Sequence, residues 1–242
     1  IDIGVGDSFA DIYGPKRFAM LWLTKLLARL RSKPLIMAPQ TIGPFTRPIY
    51  RALARIALNS VSAVVARDDM SMAEVRALAP ATRSLRATDV AFELPFTDRS
   101  GERDGPRLRV GLNVSGLLFY QEETGRNRFG LAYDYADAMR CLLGRLTARG
   151  DAEVYLLTHA NSMVSAADDD SALCDRLAAE FPAAIRVPDF AEASSAKSFI
   201  SSLDFLVSAR MHACIAAMSS GTPFVPIAYS RKFEGLFGSL GY

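Results

Sequence analysis

FLVSARMHACIAAMSSGTPFVPI, residues 205–227, is the stretch on which the fold turns. A short apolar run, FLVSA, gives way to Arg210 and His212. An alanine-rich stretch, 212–220, follows and is closed by Gly221, and a second apolar run, PFVPIAY, comes after it. Short apolar runs bounded by turn residues read as buried strands, and the small-residue stretch between them reads as a helix. Strand, helix, strand at this spacing is one repeat of a parallel α/β unit. Both cations then stand where a strand ends and a helix begins. Ligands bind at that edge of a parallel sheet, and the free N–H groups of the next helix favour anions there.

The same alternation extends along the chain. Residues 16–31, 46–59, 71–79, 133–149, 168–180 and 194–202 read as helices. KPLIMAP, VSAVVA, LRATDVAFEL, LRVGLNVS, AEVYLLT and AIRVP hold the strands between them. Ser71 with Glu74 reads as a capping box opening the 71–79 helix. FTDRSGERDGPR, 96–107, is polar and glycine-containing, the best linker in the chain. The expected architecture is therefore α/β, with two parallel-sheet domains at 1–98 and 107–242.

Composition narrows the class. The chain has 242 residues, half of them hydrophobic, with 28 basic against 26 acidic side chains for a formal charge of +2. That is a globular protein without the charge excess of a nucleic-acid binder. Cys141, Cys174 and Cys214 are scattered, with no Cys-x-x-Cys pair, so neither a disulfide framework nor a zinc site is expected. They read as small core residues of apolar helices. No apolar run has the length of a membrane span and no signal-peptide pattern is visible, so a cytoplasmic location is expected. The basic amphipathic segment 15–34 carries Leu21, Trp22, Leu26, Leu27 and Leu30 among Lys16, Arg17, Lys25, Arg29 and Arg31. It reads first as a sheet-covering helix with a solvated face. The competing reading is peripheral contact with the inner face of an anionic membrane.

The strand ends supply the candidate site. Gln40 follows PLIMAP, and Arg67 follows VSAVVA. His159 follows AEVYLLT, Arg210 and His212 follow FLVSA, and Arg231 and Lys232 follow PFVPIAY. Both histidines of the protein share this edge with several cations. The plainer alternatives are an ion pair of Arg67 with Asp68 or Asp69, a core histidine, and a turn role for Asp7. A lone Gly-x-Gly at 4–6 lacks the third glycine of a dinucleotide fingerprint. The Asp-x-Asp in ADDDS, 167–171, reads as a favourable charge at a helix start rather than a metal site.

These residues bring a family into view. LDFLVSARMHACIAAMSSGTPFVPIAYSRKFEGLFGSLG resembles the polysaccharide pyruvyl transferase family in Asp204, Arg210, His212, Gly221, Pro223, Tyr229 and Lys232. APQTIGPF, ARDDMSMAEVRAL and ATDVAFEL are weaker echoes of it. GVGDSFADIYG resembles a Gly-Gly-Asp loop, with Val5 in place of the middle glycine. The resemblance implies a GT-B-like fold, two Rossmann-like domains facing a cleft, with upstream strands of the first domain lying outside this chain. It implies phosphoenolpyruvate as donor, no cofactor or metal, and a glycan or lipid-linked saccharide as acceptor.

Phosphoenolpyruvate presents a phosphate and a carboxylate, which call for several cations and oriented N–H donors. Transfer as a ketal also needs a proton delivered to the methylene carbon, a task suited to histidine. The expected catalytic pair is His212 as general acid/base and Arg210 as anion grip. Arg67, His159, Lys232, Asp7 and Gln40 are the expected substrate-binding residues. The competing functions are a glycosyltransferase of the same architecture using a nucleotide sugar, and a non-catalytic relative.

Overall fold

The computed structural model of the chain describes residues 9–12, 14–123, 129–161 and 169–242, with the side chains of 121–123 and 231 excepted. Asp7 and the GVG loop lie outside the described residues. The chain forms two compact units. One comprises Ile1–Val90 together with Arg231–Tyr242, and the other Ala91–Ser230.

The first unit is built on strands β1 (Ile36–Gln40), β2 (Ala63–Ala66) and β3 (Ser84–Arg86). They pair in parallel in the order β1-β2-β3. Helices α1 (Pro15–Leu30), α2 (Pro48–Leu58) and α3 (Asp69–Leu78) accompany them. Its core gathers Phe9, Phe18, Leu21, Met37, Phe45, Leu58, Val64 and Val75. Proline at the first turn of both α1 and α2 suits a position whose N–H needs no intrahelical partner. The capping box expected at Ser71 is not the cap of α3. Asp68 is the N-cap and its Oδ1 accepts from the Ser71 N–H at 2.7 Å. The Ser71 hydroxyl instead accepts from the Ile42 N–H at 2.9 Å, and Glu74 pairs with Arg51 at 2.9 Å.

The second unit holds β4 (Leu108–Asn113), β5 (Ala152–Leu156), β6 (Ile185–Arg186), β7 (Phe205–Ser208) and β8 (Phe224–Pro226). Its helices are α4 (Gly116–Glu123), α5 (Tyr135–Thr147), α6 (Asp170–Glu180), α7 (Ala193–Ile200) and α8 (Met211–Ser219). The sheet order is β6-β5-β4-β7-β8, all parallel. Counted within the unit this is third, second, first, fourth, fifth, the Rossmann order, which reverses direction between β4 and β7. The expected FLVSA strand and the alanine-rich helix are both present. Met211, Ala213, Cys214, Ile215, Ala216 and Ala217 of α8 are all buried, so small side chains suit a helix enclosed on several faces.

Two boundaries differ from the sequence expectation. The segment read as a linker is part of the second unit. A short 3-10 helix, Ser100–Asp104, forms in it. Arg103 there donates to the Ser201 carbonyl at 2.7 and 3.0 Å and to Thr222 Oγ1 at 2.7 Å. Just upstream, Lys197 Nζ donates to the carbonyls of Phe92 and Leu94, each at 2.9 Å. The end of the chain also departs from a 107–242 domain. Helix α9 (Arg231–Ser239) groups with the first unit. The Asp69 N–H donates to Ser239 Oγ at 3.0 Å, and Arg86 donates to the Ser239 carbonyl at 2.6 Å.

Further corrections concern single side chains. Cys174 and Cys214 are buried and free, and burial pushes both thiols up to about 12, but Cys141 is exposed. Lys25, expected on a solvated face, is buried, with its ammonium 4.5 Å from the Phe9 ring centroid and 3.3 Å from the Leu21 carbonyl. Leu21 of the same helix is in the core, whereas Met20, Leu23, Leu27 and Leu30 are exposed.

Candidate active site

Strands β4 and β7 end side by side, with Asn113 and Ser208 as register partners. Ser208 Oγ donates to Asn113 Oδ1 at 2.8 Å, and the Arg210 N–H donates to Ser208 Oγ at 3.0 Å. The polar residue that closes each apolar strand thus starts a hydrogen-bonded array at the point where the sheet order reverses. In an open parallel sheet that point is the crevice where ligands bind.

Asp170 is the centre of the array. Its side chain is fully buried, and it accepts a two-pronged ion pair from Arg210, Nη2 to Oδ1 at 2.7 Å and Nε to Oδ2 at 3.1 Å. Gly116 N–H donates to Oδ1 at 3.0 Å, and Asn113 Nδ2 and the Ala160 N–H donate to Oδ2, each at 3.2 Å. One carboxylate therefore binds the segments that follow β4, β5 and β7. Gly116 is needed for this approach, because a Cβ there would lie 2.8 Å from the Asp169 carbonyl oxygen. Asp169 caps α6, accepting from the Ser171 N–H at 2.9 Å, which is the helix-start role the sequence gives to ADDDS. In the sequence Asp170 belongs to the Asp-x-Asp of ADDDS, read as a helix-start charge and not as a site residue.

His159 stands beside this cluster, half-buried. Burial, then the neighbouring His212 and the Arg210 guanidinium, depress its pKa to about 4, against the opposing pull of Asp170. The imidazole is therefore neutral at pH 7. His212, in the first turn of α8, is exposed. A cleft at the carboxyl end of β5 is lined by Thr158, His159, Asn161, Phe190 and Glu192. Arg210, His212 and His159, three of the expected residues, are thus together in the second unit.

The other described candidates lie in the first unit. Arg67 is buried at the end of β2, where its N–H donates to the Gln40 carbonyl at 3.1 Å. Its guanidinium pairs with Asp89 at 2.7 Å and donates to Thr41 Oγ1, so its acidic partner is neither Asp68 nor Asp69. Gln40 is buried beside it. Lys232 lines a pocket with Thr41, Ile42, Asp68, Ser71 and Gly235. The carboxyl edge of the first sheet thus gathers Gln40, Arg67 and, through α9, Lys232. Tyr229 and Lys232 of the Tyr-x-x-Lys pattern fall on either side of the unit boundary. Asp204 sits at the opposite, amino-terminal edge of the second sheet, where Oδ2 accepts from the Arg109 N–H at 2.7 Å.

Among the described residues no group of three or more His, Cys, Asp or Glu is arranged to hold a metal ion, and no helix is long and apolar enough to cross a membrane.

Residues 3–231 match a family model described as polysaccharide pyruvyl transferase. The amylovoran biosynthesis protein AmsJ of Erwinia amylovora is 23% identical over 257 residues. That match takes in 100% of this chain and 59% of the relative, so the chain spans little more than half the relative's length. A solved structure of accessory secretory protein 1, 2 and 3 in Streptococcus pneumoniae aligns with a TM-score of 0.48 at 10% identity. It covers 88% of this chain and 44% of that one.

Proposed function

The chain belongs to the polysaccharide pyruvyl transferase family, and on that premise we propose that it moves a pyruvyl group from phosphoenolpyruvate onto a sugar of a cell-surface or exopolysaccharide glycan. The observation that carries this reading is the cluster of Arg210, His212 and His159 at the crossover of the second sheet. A planar guanidinium matches a carboxylate or phosphate through paired N–H donors. The start of α8 adds backbone N–H groups on the same side.

In this reading His212 gives a proton to the methylene carbon of the donor, which becomes a methyl group. The adjacent carbon gains oxocarbenium character and accepts one sugar hydroxyl, which loses its proton. Phosphate departs, and the second hydroxyl closes the ketal with loss of its own proton. The exposure of His212 suits exchange of that proton with solvent. His159, uncharged at neutral pH, offers a nitrogen acceptor to a sugar hydroxyl rather than a charge to phosphate. Phosphoenolpyruvate enters as a substrate, and the proton movements fall to side chains. Within the first unit taken by itself, Gln40, Arg67 and Lys232 are the residues proposed to bind substrate, at the carboxyl edge of that unit's own sheet.

A second reading concerns where the acceptor is met. The exposed stripe of Met20, Leu23, Leu27 and Leu30 on α1 is flanked by Lys16, Arg17, Arg29 and Arg31. An apolar stripe between basic ends matches an anionic membrane surface, where lipid-linked saccharides reside.

Thermal unfolding with and without phosphoenolpyruvate tests the donor. At a hundred times its dissociation constant a ligand stabilises by about 2.7 kcal/mol, a shift of several degrees. The expected result is stabilisation by phosphoenolpyruvate and not by nucleotide sugars, lost in Arg210→Ala. Stabilisation by a nucleotide sugar instead would replace this reading with a glycosyltransferase.

A further inference from the structure

We propose that Asp170 is a positioning residue of the donor site, holding the Arg210 guanidinium in one orientation at the crossover of the second sheet. The inference rests on the donor reading above and deepens it.

A helix-starting acid has a simple duty, to accept from its own first turn, and Asp169 already performs it. Asp170 does something else. Its two oxygens receive five donors: Arg210 Nε and Nη2, Asn113 Nδ2, and the N–H groups of Gly116 and Ala160. The Asp170 N–H in turn donates to the Ala160 carbonyl at 2.9 Å. Every donor comes from the carboxyl edge of the sheet, where the ligand crevice is.

Arg210 is held at both ends. Its main-chain N–H is fixed by Ser208, which donates onward to Asn113, and Asn113 donates to Asp170. Its side chain is fixed by the carboxylate itself. The ring of contacts runs from Arg210 through Ser208, Asn113 and Asp170 back to Arg210. Such a closed array leaves the guanidinium little rotational freedom, and both ions of the pair are satisfied although the site is largely desolvated. Because Asp170 offsets much of the positive charge of Arg210, the value of this arginine lies in the direction of its fork rather than in net charge. A planar fork recognises a carboxylate or phosphate only when its plane is set.

Asp170→Asn places an amide NH2 where one oxygen now faces donors. Either orientation sets donor against donor, at Gly116 and Arg210 Nη2 or at Asn113, Ala160 and Arg210 Nε. Arg210→Lys keeps the charge and loses the fork. The test measures phosphoenolpyruvate affinity calorimetrically for the unaltered protein, both single variants and the double variant.

Each single change is expected to weaken binding at least about tenfold. The double variant should be no weaker than the weaker single, because both changes remove one unit. Losses that multiply, or unaltered affinity in a folded Asp170→Asn protein, overturn the proposal. Unaltered affinity in Arg210→Lys overturns it too, since charge alone would then suffice. Should Asp170→Asn fail to fold, the ligand-free 15N spectrum decides. The Arg210 Nε–H signal, assigned by its loss in Arg210→Lys, is expected to exchange slowly with solvent, and fast exchange overturns the proposal. Absence of phosphoenolpyruvate binding by the unaltered protein would sink the donor reading and this proposal with it. That failure is read on the wild type alone, apart from any failure of positioning.

Discussion

At the scale of the residue, His159 links the site to stability. Its folded pKa of about 4 lies below the ordinary 6.5. Above pH 6.5 the imidazole is neutral folded and unfolded, and it contributes no pH dependence. Between pH 6.5 and 4 the unfolded chain binds the proton that the folded chain refuses, so stability falls as acid is added. The whole traverse is worth at most about 3 kcal/mol. We expect His159→Gln to flatten this part of the profile. The check is the urea midpoint of both proteins at pH 7, 5.5 and 4.5. Asp189, whose carboxyl is held low by Ser171, Arg186 and Thr158, loses stability in acid in both proteins and cancels in the difference. Parallel profiles would show that the imidazole is not buried among positive neighbours.

The gathering of His159, Arg210 and His212 was legible in the sequence, because the end of a parallel strand fixes where its next residue stands. Asp170 was not, because nothing local tells an acid that caps its own helix from one that reaches three other segments. Lys25 misled for a related reason. Charge reads as solvated, yet its long stem lies in the core while its ammonium finds the Phe9 face and a carbonyl of its own helix.

At the scale of the element, α1 shows how amphipathic patterning and burial can disagree. The sequence offers Leu21, Trp22, Leu26, Leu27 and Leu30 as the apolar set of a sheet-covering helix, but Leu21 is in the core while Leu27 and Leu30 are exposed. Met20, Leu23, Leu27 and Leu30 recur at helical spacing on the exposed side. Vesicle flotation tests what that stripe does. The unaltered protein is expected to float with vesicles rich in anionic lipid and not with neutral ones. Leu23→Ser with Leu27→Ser should reduce the bound fraction several-fold without lowering Tm, since neither side chain contributes to the core. Equal flotation of the variant would remove α1 from any membrane contact. Two helices went unread in the sequence. GLLFYQEE, now α4, has no helical repeat of apolar positions. RKFEGLFGS, now α9, contains Gly235 and Gly238, each costing about 1 kcal/mol of helix propensity against alanine. Packing overrides that cost. A Cβ at 235 would lie 3.3 Å from the Asp68 carboxyl carbon, so the glycine lets α9 settle onto the start of α3.

At the scale of the whole molecule, alternation of strand and helix was enough to foresee two parallel-sheet units, because a parallel pair requires a crossover between its strands. It was not enough to foresee the partition. A polar, glycine-containing segment has the composition of a linker whether or not its arginines find carbonyls, and Arg103 finds two, those of Ser201 and Gly221. The return of the chain at Arg231 is likewise a long-range event with no local mark. Deleting residues 231–242 separates the two partitions experimentally. If α9 belongs to the first unit, its loss uncovers the apolar surface now closed by Phe233, Leu236 and Phe237, all buried. It also removes the Ser239 contacts to Asp69 and Arg86. Amide exchange should then quicken by an order of magnitude or more in α3 and β3, while β4 and β7 keep their protection, since local opening follows local burial. Quickened exchange in β7 and β8 with α3 unchanged would return α9 to the second unit.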